Sequence, residues 1–463
     1  MISVTPIHQP PLDPGFIPAA LWNRAYQNAV TLCDASREVR FAIERRAVSR
    51  WIYDTKMLPD TAEFANDNLK YAERLVKSLL WAWGGSRLRI AGAPEIVDAL
   101  AKIYSASGNR QFDHKFMGTT CFNEDFTVEA AAIEDLPEKL PANSGNRRSL
   151  KGNRIGFDLG GSDRKCAAII DGKVVFSEET KWSPYFESDP EYHRSGIQDS
   201  LKLAAAHLPS VDGIGGSAAG IYIDNEPRVG SLYRGIAPAD FKSKIQGIFK
   251  DLQKEWNDVP FEVANDGDVT AMAGAMAIDD NAVIGISMGT SLAGGYIDPN
   301  GAVTGWINEL AFVPVDYRED VAFDEWSGDA GCGVQYFSQQ AVGRLLPLSG
   351  INVSPDLGLP EKLEVVQTRM AEGDERAAAI YRTIGICFGY TIAHFADFYE
   401  FRHLLFLGRV SSGQGGGIIM NEARKVLDAE FPELSKRITF QTPDEKTKRH
   451  GQAIAAASLP DFE

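Results

Sequence analysis

Two stretches of this chain follow one design, and together they constrain the fold more than any other feature. Arg154 to Lys165 reads Arg-Ile-Gly-Phe-Asp-Leu-Gly-Gly-Ser-Asp-Arg-Lys, with Ile155, Phe157 and Leu159 alternating against small or acidic residues. A second alternating run, Ala167 to Phe176, is interrupted only by Asp171-Gly172. Alternation broken by Gly-Gly and Asp-Gly predicts strands joined by tight turns. Roughly 130 residues further on, the apolar run Ala282 to Met288 meets Gly289-Thr290-Ser291 and continues as Leu292 to Ile297. Strand, glycine turn with a hydroxyl, strand, twice over, predicts an internal duplication with one anion-binding turn in each half. Either turn alone is common on protein surfaces, where an Asp merely caps its own backbone.

Between and after the two hairpins lie further strand-to-helix junctions. Val211 to Tyr222 is a strand ending in small residues, so that Gly220 leaves room for a ligand beside the backbone. Phe261 to Asp268 runs a short strand into Asn265-Asp266-Gly267-Asp268 and a helix of small residues from Val269 to Ala277. An Asp at such a junction is a helix cap or a general base aimed into a cleft. Asp266 and Asp268 do not both cap one helix, and Asp266 is the preferred base. Toward the C-terminus a long apolar helix, Ala377 to Tyr399, precedes a strand at Leu404 to Leu407. The turn Gly408 to Gly417 and a helix from Ile418 to Ala429 follow, an arrangement that seats a phosphate or an adenosine. His394, inside the long helix, reads as a core residue.

The first third reads differently. Prolines 6, 10, 11, 14 and 18 mark residues 1–20 as an extended arm. Strands at 37–45 and 47–54, an amphipathic helix at 62–83, a strand at 87–91, a helix at 94–104 and a strand at 126–132 predict a small α/β domain over 21–136. Its strand, helix, Gly84-Gly85, strand order faintly echoes the later halves. Residues 137–153, rich in Pro, Asn, Ser and Gly and carrying Arg147, Arg148 and Lys151, read as a solvated linker. The remaining boundaries place one lobe at 154–280 and a second at 281–463.

A net charge of −16 argues against nucleic acid and against anionic membranes. Five scattered cysteines without a Cys-x-x-Cys pair fit a reducing compartment. With no apolar run of membrane-spanning length and no signal-peptide pattern, the expected location is the cytoplasm.

The ordered set of two phosphate hairpins, an Asn-Asp between them and a late glycine-rich turn resembles the actin-like ATPase superfamily of sugar kinases. Its spacing, over about residues 154–460, is similar to the ROK family of repressors, uncharacterised reading frames and kinases. The resemblance implies an α/β, two-lobed, ribonuclease H-like sugar-kinase fold with an added N-terminal α/β domain. It also implies an ATP- and Mg²⁺-dependent kinase of a small-molecule sugar, with a homodimer as the family's tendency. Asp158, Gly160, Gly161 and Ser162, with Lys165 behind them, match the first phosphate motif, in which the Asp holds Mg²⁺ through water. Gly289, Thr290 and Ser291 match the second phosphate motif, and Gly408, Gly413 and Gly415 the adenosine motif. Asp266 takes the place of the catalytic base, and Asn265 and Glu309, with Gly220, those of the sugar-binding residues.

The departures are specific. Phe312 stands where the family has His, and of the family's cysteine cluster only Gly328 and Cys332 remain, so no structural zinc is expected. Arg409 replaces a glycine of the adenosine turn, and Leu292-Ala293 replace an Ile-Gly type pair. Both departures bear on the width of a nucleotide cleft. The rival expectations are a non-catalytic sugar-sensing regulator and an actin-like ATPase with a non-sugar substrate.

Overall fold

The computed structural model describes residues 2–45, 49–136, 149–442 and 445–461, the side chains of 445–450 excepted. Arg147 and Arg148 of the predicted linker lie outside the described residues. The chain divides into two compact units. The first comprises Met1–Ala142, Ile286–Gly294 and Trp306–Phe440, and the second Asn143–Gly285, Gly295–Gly305 and Gln441–Glu463.

Four strands, β1 (Arg37–Arg45), β2 (Ser49–Met57), β3 (Arg87–Ala91) and β4 (Thr127–Ala130), form a sheet ordered β2-β1-β3-β4. A helix absent from the sequence reading, Ala19–Thr31, begins inside the expected extended arm. Pro18 precedes it, and Ala19, Ala20, Trp22, Tyr26 and Val30 bury one face. The faint echo of the later halves stops at strand direction. β1 runs antiparallel to β3, with Arg40 opposite Ala91.

The second unit holds β5 (Asn153–Leu159), β6 (Asp163–Ile170), β7 (Lys173–Lys181), β8 (Gly213–Ala218), a β9–β10 hairpin (Ile221–Ile223, Glu226–Val229) and β11 (Phe261–Asn265). Its main sheet is ordered β11-β8-β5-β6-β7. β5, β6 and β7 form an antiparallel meander, while β8 is parallel to β5 and β11 parallel to β8. The β6–β7 turn is the Asp-Gly pair read from the sequence, with Asp171 at φ 46° and Gly172 at φ 79°, the left-handed pair that a two-residue hairpin requires. A further sheet orders β12 (Val283–Met288), β13 (Leu292–Ile297), β14 (His403–Leu407) and β15 (Thr439–Gln441) as β13-β12-β14-β15. That order repeats β6-β5-β8-β11, so the duplication predicted from two turns extends to whole sheets.

Residues 441–463, expected in the second lobe, belong instead to the unit containing β5–β11. The Glu445–Ala456 helix lies so close to this sheet that a Cβ on Gly156 would sit 1.7 Å from the Ala453 carbonyl oxygen, and one on Gly215 equally close to that of Ala456. Arg154, fully buried, donates to the carbonyls of Ala457 and Pro460. Its charge therefore serves the chain end rather than an external anion.

Candidate active site

Within the second unit, the ends of β5 and β11, the strands that flank β8, carry two carboxylates whose charges interact. Asp158, near the end of β5 and 5% exposed, accepts a 2.7 Å hydrogen bond from the Ser217 hydroxyl of β8. Burial raises its pKa, and Ser217 and Lys165 offset this only in part. The Lys165 ammonium stands 3.7 Å from Asp158 and 2.7 Å from Asp163. Asp266 opens the Asp266–Ile278 helix at the end of β11. Burial, and then the negative charge of Asp158, push its carboxyl up to about 6. A carboxyl raised by burial and by a neighbouring carboxylate marks a candidate functional site.

Neither Asp caps the helix. The cap is Asn265, whose Oδ1 accepts from the Gly267 N–H at 2.7 Å while its Nδ2 donates to the Gly220 carbonyl at 2.6 Å. Asp268 is buried and accepts from the Tyr296 N–H, a structural role that leaves Asp266 as the available base. Gly220, at φ 126°, is required by β10, since a Cβ there would sit 2.1 Å from the Val229 carbonyl oxygen. The Gly160–Ser162 turn is similarly enclosed. The Trp182 indole donates to the Gly160 carbonyl, the Tyr185 phenol fills the place of a Gly161 side chain, and the Ser162 hydroxyl donates to Asp163. Gly161 thus admits a tyrosine, a reason for glycine that the sequence reading did not contain.

The first unit holds the other predicted motifs. Thr290 and Ser291 are exposed. The Gly289 carbonyl accepts from the Gln339 N–H at 2.9 Å, and the fully buried amide group of Gln339 has no protein partner. Nothing in the sequence singled out Gln339. Gly408, at φ 102°, lies where a Cβ would be 2.4 Å from the Met288 backbone. The helix after it starts at Gly413, not at Ile418, and runs 18 residues to Glu430. Gly415 and Gly416 lie inside this helix, where a side chain at either would strike the Tyr381 ring or the Ser411 carbonyl. Gly413 faces open space, and Ser412 makes no side-chain cap, so the first N–H groups are left to an incoming acceptor. Arg409 is largely exposed and pairs with Glu364.

Glu309 also lies in the first unit, where its N–H donates to the Trp81 carbonyl at 2.9 Å. Phe312 is buried against Trp81, their ring centroids 4.2 Å apart. Cys332 is fully buried beside Asp329 and Lys77, and burial pushes its thiol up. His394 is a core residue, its imidazole driven down to about 3 by burial.

The fold and these motifs define a class, the α/β, actin-like, two-lobed sugar-kinase fold. Among solved structures, the chain is similar to a ROK hexokinase from Thermus thermophilus at 14% identity and a TM-score of 0.52, over 66% of this chain and 97% of that one. It is also similar to a ROK family transcriptional regulator, a homologue of the E. coli MLC protein, at 17% identity and a TM-score of 0.53, over 67% and 79% of the two chains. No family model matches the sequence, and no curated protein does. Among the described residues no helix is long and apolar enough to cross a membrane.

Proposed function

We propose that the protein is an ATP-dependent carbohydrate kinase in which Asp266 takes the proton from the attacked sugar hydroxyl. The observation that carries this reading is the Asp158–Asp266 pair, a carboxyl lifted to about 6 beside a second, buried carboxylate. A base with that pKa is substantially ionised at neutral pH yet basic enough to accept a proton in the transition state.

The residues present fit Mg²⁺ and ATP. Asp158 would hold a divalent cation, whose charge would offset the effect of Asp158 on the Asp266 carboxyl. The orphaned Gln339 amide beside Gly289 and the uncapped helix at Gly413 suit phosphate and nucleotide. When bound, Mg-ATP supplies the transferable phosphoryl group and the counter-charge for it. Asn265 keeps one N–H and one lone pair beyond its two internal bonds, enough to fix a sugar hydroxyl next to Asp266. Glu309 is assigned to further hydroxyls of the acceptor. The cytoplasm is the proposed location, and a homodimer the proposed assembly.

A second reading, a sugar-responsive regulator without turnover, is favoured by Phe312 alone, an apolar ring where the resemblance places a sugar-binding His. A thermal-shift panel of sugars with and without Mg-ATP separates the two, because a ligand of the native state raises Tm. A sugar that stabilises the protein and is then phosphorylated establishes the kinase. Stabilisation without phosphorylation establishes the regulator, and ATP hydrolysis indifferent to every sugar refutes both.

A further inference from the structure

The N-terminal sheet and its helices had no assigned role, yet the Ala65–Ala82 helix ends on the candidate acceptor loop. A helix leaves its last carbonyls without intrahelical donors. Here three consecutive loop residues supply donors. The N–H groups of Ile307, Asn308 and Glu309 meet the carbonyls of Trp83, Ala82 and Trp81 at 3.4, 3.0 and 2.9 Å. Gly84, at φ 77°, turns the chain away immediately after the helix, and a Cβ there would sit 2.7 Å from Ile307. Asn308 itself is held at φ 50°, with its Oδ1 accepting from the Tyr399 hydroxyl at 2.9 Å. The loop is therefore fixed residue by residue, and Glu309 is its last bonded member.

The helix that fixes it is itself anchored. Lys77, fully buried, donates to Asp113 at 2.7 Å and lies 3.5 Å from Asp329 on the segment that follows the loop. Burial alone would lower the Lys77 pKa, but the two carboxylates hold it above its ordinary value. The Trp81 indole donates to the same Asp113, and its ring packs on Phe312, three residues past Glu309.

We infer that the N-terminal domain is a positioning element of the acceptor site, and that Trp81 fixes Glu309 through these backbone bonds. Trp81 acts on the acceptor and not on the nucleotide. The acceptor role of Glu309 rests on the function proposed above, whereas the fixing of the loop does not.

The test has two parts, both on the full-length protein. Hydrogen exchange reads the loop directly, with or without enzyme activity. The amides of 307–309 are protected in the wild type and exchange about tenfold faster in Trp81→Phe, with the β5–β8 sheet unchanged as a folding control. Tyr399→Phe, which removes one hydroxyl, loosens the same amides less. Kinetics then read the consequence. Trp81→Phe raises the KM for the sugar about tenfold with the ATP KM within twofold, and adds nothing further in a Glu309→Gln background. Wild-type amides that exchange as an exposed loop does, or two KM values that move together, overturn the inference. Protected amides in a protein that phosphorylates no sugar leave the positioning intact and refute the kinase reading alone.

Discussion

The two units carry candidate motifs made of different materials, a charged half and a glycine half of the motif set. The second unit contributes side-chain charge, with Asp158 and Asp266 at the ends of β5 and β11, both raised by burial and Asp266 also by the charge of Asp158. The first unit contributes backbone, with Gly408 at φ 102° packed on the Met288 backbone and Gly413 at φ 67° facing open space. A charged half is tuned by its neighbours' charges, while a glycine half is tuned by clearance and backbone angle. Substitutions in the two halves should therefore fail in different ways.

The largest failure is expected at Asp266. Asp266→Asn removes the base but keeps the shape, so turnover should fall about a thousandfold while sugar binding, read by thermal shift, persists. Lost binding with retained turnover would remove Asp266 from the role of base.

In the glycine half the same kind of change should instead unfold. Gly408→Ala combines φ 102° with a Cβ 2.4 Å from the Met288 backbone, and should cost about 3 kcal/mol or more in denaturant unfolding. Gly413→Ala shares the positive φ but meets open space, so it should cost only about 1 kcal/mol and leave a folded protein with weakened ATP binding. Equal stability losses at the two positions would erase the distinction between a packing glycine and a ligand glycine.

How much of this was legible beforehand follows the same division. Alternation and an Asp-Gly pair sufficed for β5, β6 and β7 because those signals are local. The junction at Asp266 and Asp268 reads from sequence as one cap and one candidate base, whereas the cap is Asn265 and Asp268 binds the Tyr296 N–H. The Ala19–Thr31 helix was hidden by five prolines upstream, the last of which is compatible with a helix start. The helical Gly415 and Gly416 contradict propensity, and only the Tyr381 ring and the Ser411 carbonyl explain them. The buttressing of Glu309 was not legible at all. Trp81 reads as one more apolar position on an amphipathic helix, and the loop it holds lies more than two hundred residues away.

The charged half also predicts a pH dependence that the glycine half lacks. Asp266 has a folded pKa of about 6, above the unfolded value of about 3.9. Between those values the native state keeps a proton that the unfolded state has lost. The associated stability is full below about pH 4, declines as pH rises and is gone above about 6, a difference of about 2 kcal/mol after allowance for partial exposure. Without magnesium, Asp266→Asn should therefore be more stable than the wild type at pH 8 and lose that advantage at pH 4. The kcat/KM of the wild type should rise through about pH 6 as the base ionises. A flat stability difference from pH 4 to 8 would mean that burial and the Asp158 charge do not raise the Asp266 carboxyl.

The smallest effect should come from the residue that looked most disruptive in the sequence. Arg409 stands where the resemblance places a glycine of the adenosine turn, and from sequence it is expected to narrow a nucleotide cleft. Its side chain is instead 64% exposed and 3.5 Å from Glu364, itself 63% exposed. An ion pair that open contributes little. The turn around it is held by other groups, since the Gln367 amide donates to the Arg409 carbonyl and to the Ser412 hydroxyl. Arg409→Gly should leave the ATP KM within about twofold and stability within about 0.5 kcal/mol. A large gain in ATP affinity on removing the side chain would show that clearance at this turn, and not only at Gly408, limits nucleotide binding to the first unit's motifs.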